Sequence, residues 1–356
     1  RYHWTSSHLD RGVSVMDSLA AHNLLTEEGL SVREDLQKIK KAHEGVLGYL
    51  THKGGMQHQG IAHRLSERNP RLFTQKERNE VYAVATTAQR CIQSMAFFCV
   101  QLARENPELQ FTMDAGERFA DYLSNPAGLE SRGDERVRVI LDSLLTSSLD
   151  PSRIMTSWIT DETAAKHYMP KGSERLFIYY VFWAGGIGQC LDIEDPYIYR
   201  HFTEDEIYAL WAYNDTYYYS NMCATEENGR SRDIIAKRIV RDIVEKADSA
   251  LCPQSHRVAD LRFGHDSALA PLMSFLRVKG LETEQSVSKA TSVWYGFQNM
   301  PMASNLQIVF YKNKKDDVLV KLLFNERETS IPALESVSGP YYSWTELRDY
   351  LVRICE

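Results

Sequence analysis

The six cysteines of this 356-residue chain include no Cys-x-x-C pair, which excludes zinc ribbons and thioredoxin-type chemistry. No run of about 18 apolar residues occurs, so no segment reads as a membrane-spanning helix. Positive charge is not in excess. The 41 Lys and Arg stand against 48 Asp and Glu, a net charge of −7. That argues against a strongly basic nucleic-acid binder and leaves room for a local basic pocket. There is no internal repeat and no low-complexity tract. The Gly185-Gly186-Ile187-Gly188 run lacks a following Lys-Ser/Thr and sits in a helical pattern, so it is not a phosphate loop. What is present has the balance of a globular protein, 43% hydrophobic and 25% charged, which excludes a disordered chain, a collagen-like fibre and a coiled coil. The length fits two domains, or one large domain carrying an insertion.

Cys91 and Cys99 stand eight apart in a helical pattern, about 12 Å along its axis and too far for a disulfide. Cys190, Cys223, Cys252 and Cys355 allow three pairings, and the sequence does not choose among them. The even count is compatible with export.

Along the chain, residues 12–50 are mostly helical in pattern, and Ser31 with Glu34 reads as a capping box. Leu50–Gly55 reads as a Gly-rich turn before a helix over Gln57–Arg68, which Pro70 follows. Val81–Thr86 is a short apolar, β-prone run and reads as a buried strand. A helix then runs to about Glu105, with Cys91, Met95, Phe98 and Leu102 on one face. From about 106 to 250 amphipathic helices dominate, with Thr203 and Glu206 as a second capping box and a helix over Arg232–Ala250. Strands return at Arg257–Phe263, Asn305–Lys312 and Val318–Phe324. The last two flank a polar loop at Lys314–Asp317. Ser343 with Glu346 starts a final helix. The order predicts a three-layer α/β core with a mostly parallel sheet, formed from 1–105 and 251–356, and a helical cap inserted over 106–250.

In such folds ligands sit outside the carboxyl ends of the strands. Two strand ends carry chemistry. Arg90 stands where a strand turns into a helix, and a guanidinium there can bind phosphate through two parallel hydrogen bonds beside a helix N-terminus. The alternative is a surface Arg at an ordinary helix start. His265 and Asp266 end another strand, after a Gly264 that permits a close turn. The imidazole can donate to a developing anion while the carboxyl acts as acid toward a leaving group. The alternative for Asp266 is a plain N-cap. Metal binding is a weaker reading, because no second His or carboxylate follows at i+4.

These residues resemble a known family. Leu261–Ser267 is similar to the His-Asp signature of the two-domain histidine acid phosphatases. Ala85–Ser94 resembles their internal Thr-x-x-x-Arg segment, and Leu50–Gly60 their Leu-Thr-x-x-Gly-x-x-Gln turn and helix. Pro301–Leu306, opening a hairpin that ends near Asn325–Glu328, looks like their late segment. The stretch from Leu191-Asp192-Ile193 to Trp211 is similar to bacterial members related to the multiple inositol polyphosphate phosphatases. The resemblance covers nearly all the chain. The set of motifs in this order is specific, whereas each motif alone is weak.

The resemblance implies a phosphoglycerate-mutase-like fold and a two-step hydrolysis of phosphomonoesters through a phosphohistidine, with no cofactor or metal. It makes Arg90 a phosphate clamp, His265 a stabiliser of the transferring phosphoryl group and Asp266 the proton donor. It also implies a small phosphomonoester as partner, inositol phosphates including phytate by preference, and a periplasmic or secreted location. Lys53, Arg64 and Arg68 are candidates for a basic pocket. His52, His58 and His63 read as solvated or structural, with substrate-mouth lining as the lesser reading.

One departure stands out. The family's nucleophile lies in an Arg-His-Gly-x-Arg motif, and this sequence contains no Arg-His-Gly. Arg1 is read as the last Arg of that motif and hence as a substrate-binding residue, with the nucleophilic His just ahead of it. His3 as a replacement nucleophile is the lesser reading. Two other functions stay open: a non-catalytic phosphate-ester-binding protein, and a cofactor-independent mutase or phosphoryl carrier on a related fold.

Overall fold

A computed structural model describes residues 7–75, 77–124, 134–191 and 197–356. Arg1, His3, Asp192 and Ile193 lie outside the described residues. The order of helices and strands begins α1 (Ser7–Ala21), α2 (Glu27–Ala42), α3 (His52–Arg68), β1 (Glu80–Ala85), α4 (Gln89–Glu105), β2 (Gln110–Ala115) and α5 (Glu117–Leu123). It continues with α6 (Glu135–Ser148), α7 (Ser152–Trp158), α8 (Glu162–Ala165), α9 (Glu174–Gly188), α10 (Glu204–Met222) and α11 (Asp233–Leu251). It closes with β3 (Arg257–Phe263), α12 (Asp266–Phe275), α13 (Ala290–Val293), α14 (Gly296–Asn299), β4 (Leu306–Lys312), β5 (Val318–Phe324), β6 (Arg327–Glu328), β7 (Tyr341–Ser343) and α15 (Trp344–Ile354).

The chain forms two compact units. One joins the residues up to Gly54 with Arg138–Asn214, and the other joins Gly55–Val137 with Asp215–Glu356. The first is helical. Its centre is α9, whose Phe177–Phe182, Ala184 and Ile187 are buried around the whole helix, as expected of a helix that is apolar on every side. Leu9, Val13, Met16 and Leu19 of α1 and Val32, Leu36 and Ile39 of α2 pack into the same core. Gly185 is needed there, because a Cβ would stand 2.6 Å from the Tyr199 ring. Buried charge in this unit is paired, as it must be. His201 lies between the carboxylates of Glu28 and Asp35, and Arg200 meets Asp35 at 2.5 Å.

The second unit holds a parallel sheet of strand order β2-β1-β3. Alternation along β1 builds its two covered faces. Val81, Ala83 and Ala85 pack with Cys91, Met95, Phe98, Cys99 and Leu102 of α4, while Tyr82 and Val84 pack with Phe119 and Leu123 of α5. This is the helix–sheet–helix layering of a three-layer α/β fold. A separate antiparallel sheet has β5 between β4 and β6, with β7 also on β5, and it packs with α11, α12 and α15. The β4–β5 turn is closed by Asn313 Oδ1, which accepts from the backbone N–H groups of Lys315 and Asp317.

Several expectations are met element by element. Strands β1, β3, β4 and β5, helices α4, α11 and α15, and the Thr203/Glu206 box all stand where the sequence puts them. Others are corrected. Helix α2 starts earlier than Ser31: Thr26 is its N-cap and accepts from the Gly29 N–H. Leu50–Gly55 is not all turn, since α3 begins at His52 with Thr51 Oγ1 accepting from the Gly54 N–H. Ser343 caps α15 by position without a side-chain hydrogen bond.

The division of the chain also differs from a cap over 106–250. Residues 110–115 form β2 inside the parallel sheet, α11 packs on the same unit's α12, and α1 and α2 belong with α9. The physical reason is that β2 is an edge strand with mostly exposed side chains, so it carries little apolar signal. Which amphipathic helix packs on which is set by long-range contacts that periodicity does not encode.

Candidate functional site

Strand register assembles the site. Ala85 pairs with Phe263 at the ends of β1 and β3, and the Thr86 N–H continues the ladder to the Phe263 carbonyl at 3.2 Å. The two segments after these strands, Thr86–Arg90 and Gly264–Asp266, therefore leave the sheet side by side. Arg90 is the second residue of α4, which presents it beside the helix N-terminus. His265 is the N-cap of α12 in extended conformation, and Asp266 is its first helical residue. The plain-cap reading of Asp266 is thereby corrected. The cap position belongs to His265, and the Asp266 carboxylate is exposed, with Oδ1 accepting from the Ser267 N–H at 2.9 Å.

Gly264 is required by space. A Cβ there would stand 2.3 Å from the Leu123 carbonyl oxygen, the same oxygen that accepts from the His265 N–H at 2.9 Å. The end of α5 thus holds the His265 backbone against the sheet. On the side chain, Arg90 Nη2 donates to His265 Nδ1 at 2.9 Å, and His265 Nε2 lies 3.2 Å from Thr86 Oγ1. The Cys91 thiol points to the Gly264 carbonyl at 3.3 Å, with Sγ 3.7 Å from Nε2. Burial, then the Arg90 cation, hold the His265 pKa below the ordinary imidazole value, against a smaller opposing pull from Asp266. Burial also pushes the Cys91 thiol up, so sulfur here remains a thiol.

Of the residues expected at the site, Arg90 and His265 are in direct contact and Asp266 adjoins them in the chain; Arg1 is outside the described residues. The basic-pocket candidates each have a partner. Lys53 Nζ donates to the Leu191 carbonyl at 2.6 Å. Arg64 grips Glu326 at 2.6 and 3.0 Å, and Arg68 reaches it at 3.2 Å. Of the three histidines, His63 meets Glu105 at 2.7 Å and His52 is exposed. His58 is half-buried edge-on to Phe263, and burial pushes its pKa down to about 4.

Sequence reasoning gave no role to Thr86, Cys91 or the Leu123 carbonyl. The Thr-x-x-x-Arg spacing was a usable signal for Thr86. No local signal marks Leu123, because its part is played by a backbone oxygen.

The family model described as histidine phosphatase superfamily (branch 2) matches residues 100–325. The chain belongs to that superfamily. It is a phosphatase, and its chemistry is phosphomonoester hydrolysis. A comparison with curated protein sequences gave no match. Among solved structures, this phosphatase is similar to the Bifidobacterium longum multiple inositol polyphosphate phosphatase in complex with inositol hexasulfate. That match has a TM-score of 0.81 and 16% identity, and covers 98% of this chain and 89% of that one. It is also similar to the phytase from D. castellii, with a TM-score of 0.69, 14% identity and coverages of 99% and 77%. The Citrobacter braakii phytase matches with a TM-score of 0.54, 14% identity and coverages of 87% and 89%. At these identities the likeness is one of fold.

Proposed function

We propose that Arg90, His265 and Asp266 handle the phosphoryl group in this phosphatase, and that its substrate is an inositol polyphosphate or a phosphomonoester of similar negative charge. The observation that carries this reading is the 2.9 Å contact between Arg90 and His265 at the carboxyl ends of adjacent parallel strands, with an exposed carboxylate next in the chain. A guanidinium, an imidazole and a helix N-terminus converging on one point suit a phosphate dianion. The polyanionic class is supported by the inositol hexasulfate bound to the Bifidobacterium phosphatase.

Phosphoryl transfer asks mainly for positioning and charge neutralisation. In the first step a histidine nitrogen attacks phosphorus and the ester oxygen leaves. Asp266 gives its proton to that oxygen, and Arg90 and His265 hold the equatorial oxygens. In the second step water attacks the phosphohistidine, its proton passes to the Asp266 carboxylate, and the P–N bond breaks. In this reading Arg1 is a further guanidinium on the phosphate. Export to a periplasm or beyond belongs to this reading.

The test is inorganic phosphate released from phytate and from an aryl phosphate by the full-length protein, with the phosphoprotein trapped by quenching in base. Release with a trapped phosphohistidine is expected. Tight phytate binding without any release would instead establish the non-catalytic phosphate-ester-binding reading.

A further inference from the structure

We propose that Thr86 is a positioning residue of the phosphoryl site: its hydroxyl oxygen holds the Nε2–H of His265, so that Nδ1 is the ring nitrogen turned toward Arg90 and the incoming phosphoryl group. The inference rests on the phosphatase reading of this cluster and deepens it.

A guanidinium has donors and no acceptor, so at 2.9 Å from Arg90 Nη2 the His265 Nδ1 must accept. A neutral imidazole that accepts at Nδ1 carries its hydrogen on Nε2. Among the described residues, two side chains stand at Nε2: Thr86 Oγ1 at 3.2 Å and Cys91 Sγ at 3.7 Å. Sulfur is the weaker acceptor, and the Cys91 thiol is directed at the Gly264 carbonyl. Thr86 Oγ1 is therefore the partner. Thr86 is only 2% exposed, so bulk water does not compete for the place. Its backbone is pinned to β3 by the hydrogen bond to Phe263, and the His265 backbone is pinned to Leu123. The ring is thus held from both backbones and both nitrogens.

A consequence follows for proton balance. When a phosphoryl dianion draws Arg90 onto itself, Nδ1 loses its donor. Nδ1 can then take a proton from solvent and hydrogen-bond a phosphoryl oxygen, which makes His265 an imidazolium with Nε2–H still on Thr86. Among the described residues, the charged and titratable groups facing the ring are Arg90 and Cys91 from α4 and Asp266 from α12; α5 contributes the Leu123 carbonyl. Arg90 and burial favour the neutral ring in the empty site, so anion binding and proton uptake are linked there.

The experiment uses the full-length protein with Thr86→Val, Thr86→Ser and His265→Ala. Thr86→Val keeps the shape and removes the hydroxyl. It is expected to lower kcat on phytate by roughly tenfold to a hundredfold, with KM changed much less. It should also move the His265-dependent limb of the pH–rate profile to lower pH, because the imidazolium has lost an acceptor. Thr86→Ser is expected to restore most of both. Nitrogen-15 NMR of the wild-type protein should show His265 as the Nε2–H tautomer without phosphate, and doubly protonated with inorganic phosphate. A Thr86→Val enzyme with wild-type kcat and pH profile, alongside an inactive His265→Ala, overturns the role of Thr86 and leaves the phosphatase reading intact. An Nδ1–H tautomer in the phosphate-free protein overturns it too, and decides the matter if Thr86→Val does not fold. Full activity of His265→Ala would remove the underlying reading instead.

Discussion

At the scale of single residues, the proposed site sets a guanidinium against an imidazole. His265 is held toward its neutral form by burial and then by the neighbouring Arg90 guanidinium. Asp266 stands outside that pair, exposed at the start of α12, where a carboxyl can meet a leaving group. Asp266→Asn is therefore expected to slow phytate turnover by roughly 10²–10⁴-fold. An activated aryl phosphate, whose leaving oxygen scarcely needs a proton, should lose far less. Comparing kcat on the two substrates checks this, and an equal loss on both contradicts the acid role. Arg90→Ala is expected to cost roughly a hundredfold or more in kcat/KM on both substrates, measured by steady-state phosphate release.

At the scale of elements, the site depends on strands ending together and on a helix end that holds a loop. The β1–β3 register brings Thr86 to the Phe263 carbonyl, and the end of α5 clamps Gly264 and His265. Gly264→Ala places a methyl group against a backbone oxygen that cannot rotate away. The loop must shift, so the His265 N–H bond to Leu123 is strained. A loss of about 1–3 kcal/mol in stability is expected, together with a fall in kcat larger than any change in KM. Thermal denaturation and steady-state kinetics on one preparation check both. Much of this level was legible in advance. Strand β1, helix α4 and strand β3 followed from apolar runs and helical spacing, and so did the placement of Arg90 and His265 at strand ends. Strand β2 was not legible, because an edge strand with exposed side chains lacks the apolar run that marks a buried one. The early start of α2 at Thr26 was hidden by a second plausible cap at Ser31.

At the scale of the whole molecule, buried ionisable groups tie folding to pH. Asp215 is 5% exposed and accepts from the Gly296 N–H through both carboxylate oxygens, yet burial lifts its pKa to about 6. The folded form therefore keeps a proton that the unfolded chain releases nearer pH 4. The stability from this group is present below that range and is lost as pH rises toward 6, a change on the order of 3 kcal/mol. Thermal melts between pH 4 and 7 should show wild-type stability falling relative to Asp215→Asn, which keeps an acceptor for Gly296 without a charge. Parallel curves for the two proteins would contradict it.

The sequence by itself determined the local structure and the residue types of the chemistry. Apolar spacing, caps and turns act over a few residues, and a His-Asp pair after a strand or an Arg at a helix start is visible within one segment. Tertiary structure alone decided three things. It set which segments share a core, so that α1 and α2 pack with α9 and residues 110–115 join the sheet. It paired Arg64 and Arg68 with Glu326, more than 250 positions away in the chain. And it placed Thr86 against His265, 179 positions away in the chain. Contacts at that separation depend on strand register and helix packing, which no local pattern carries.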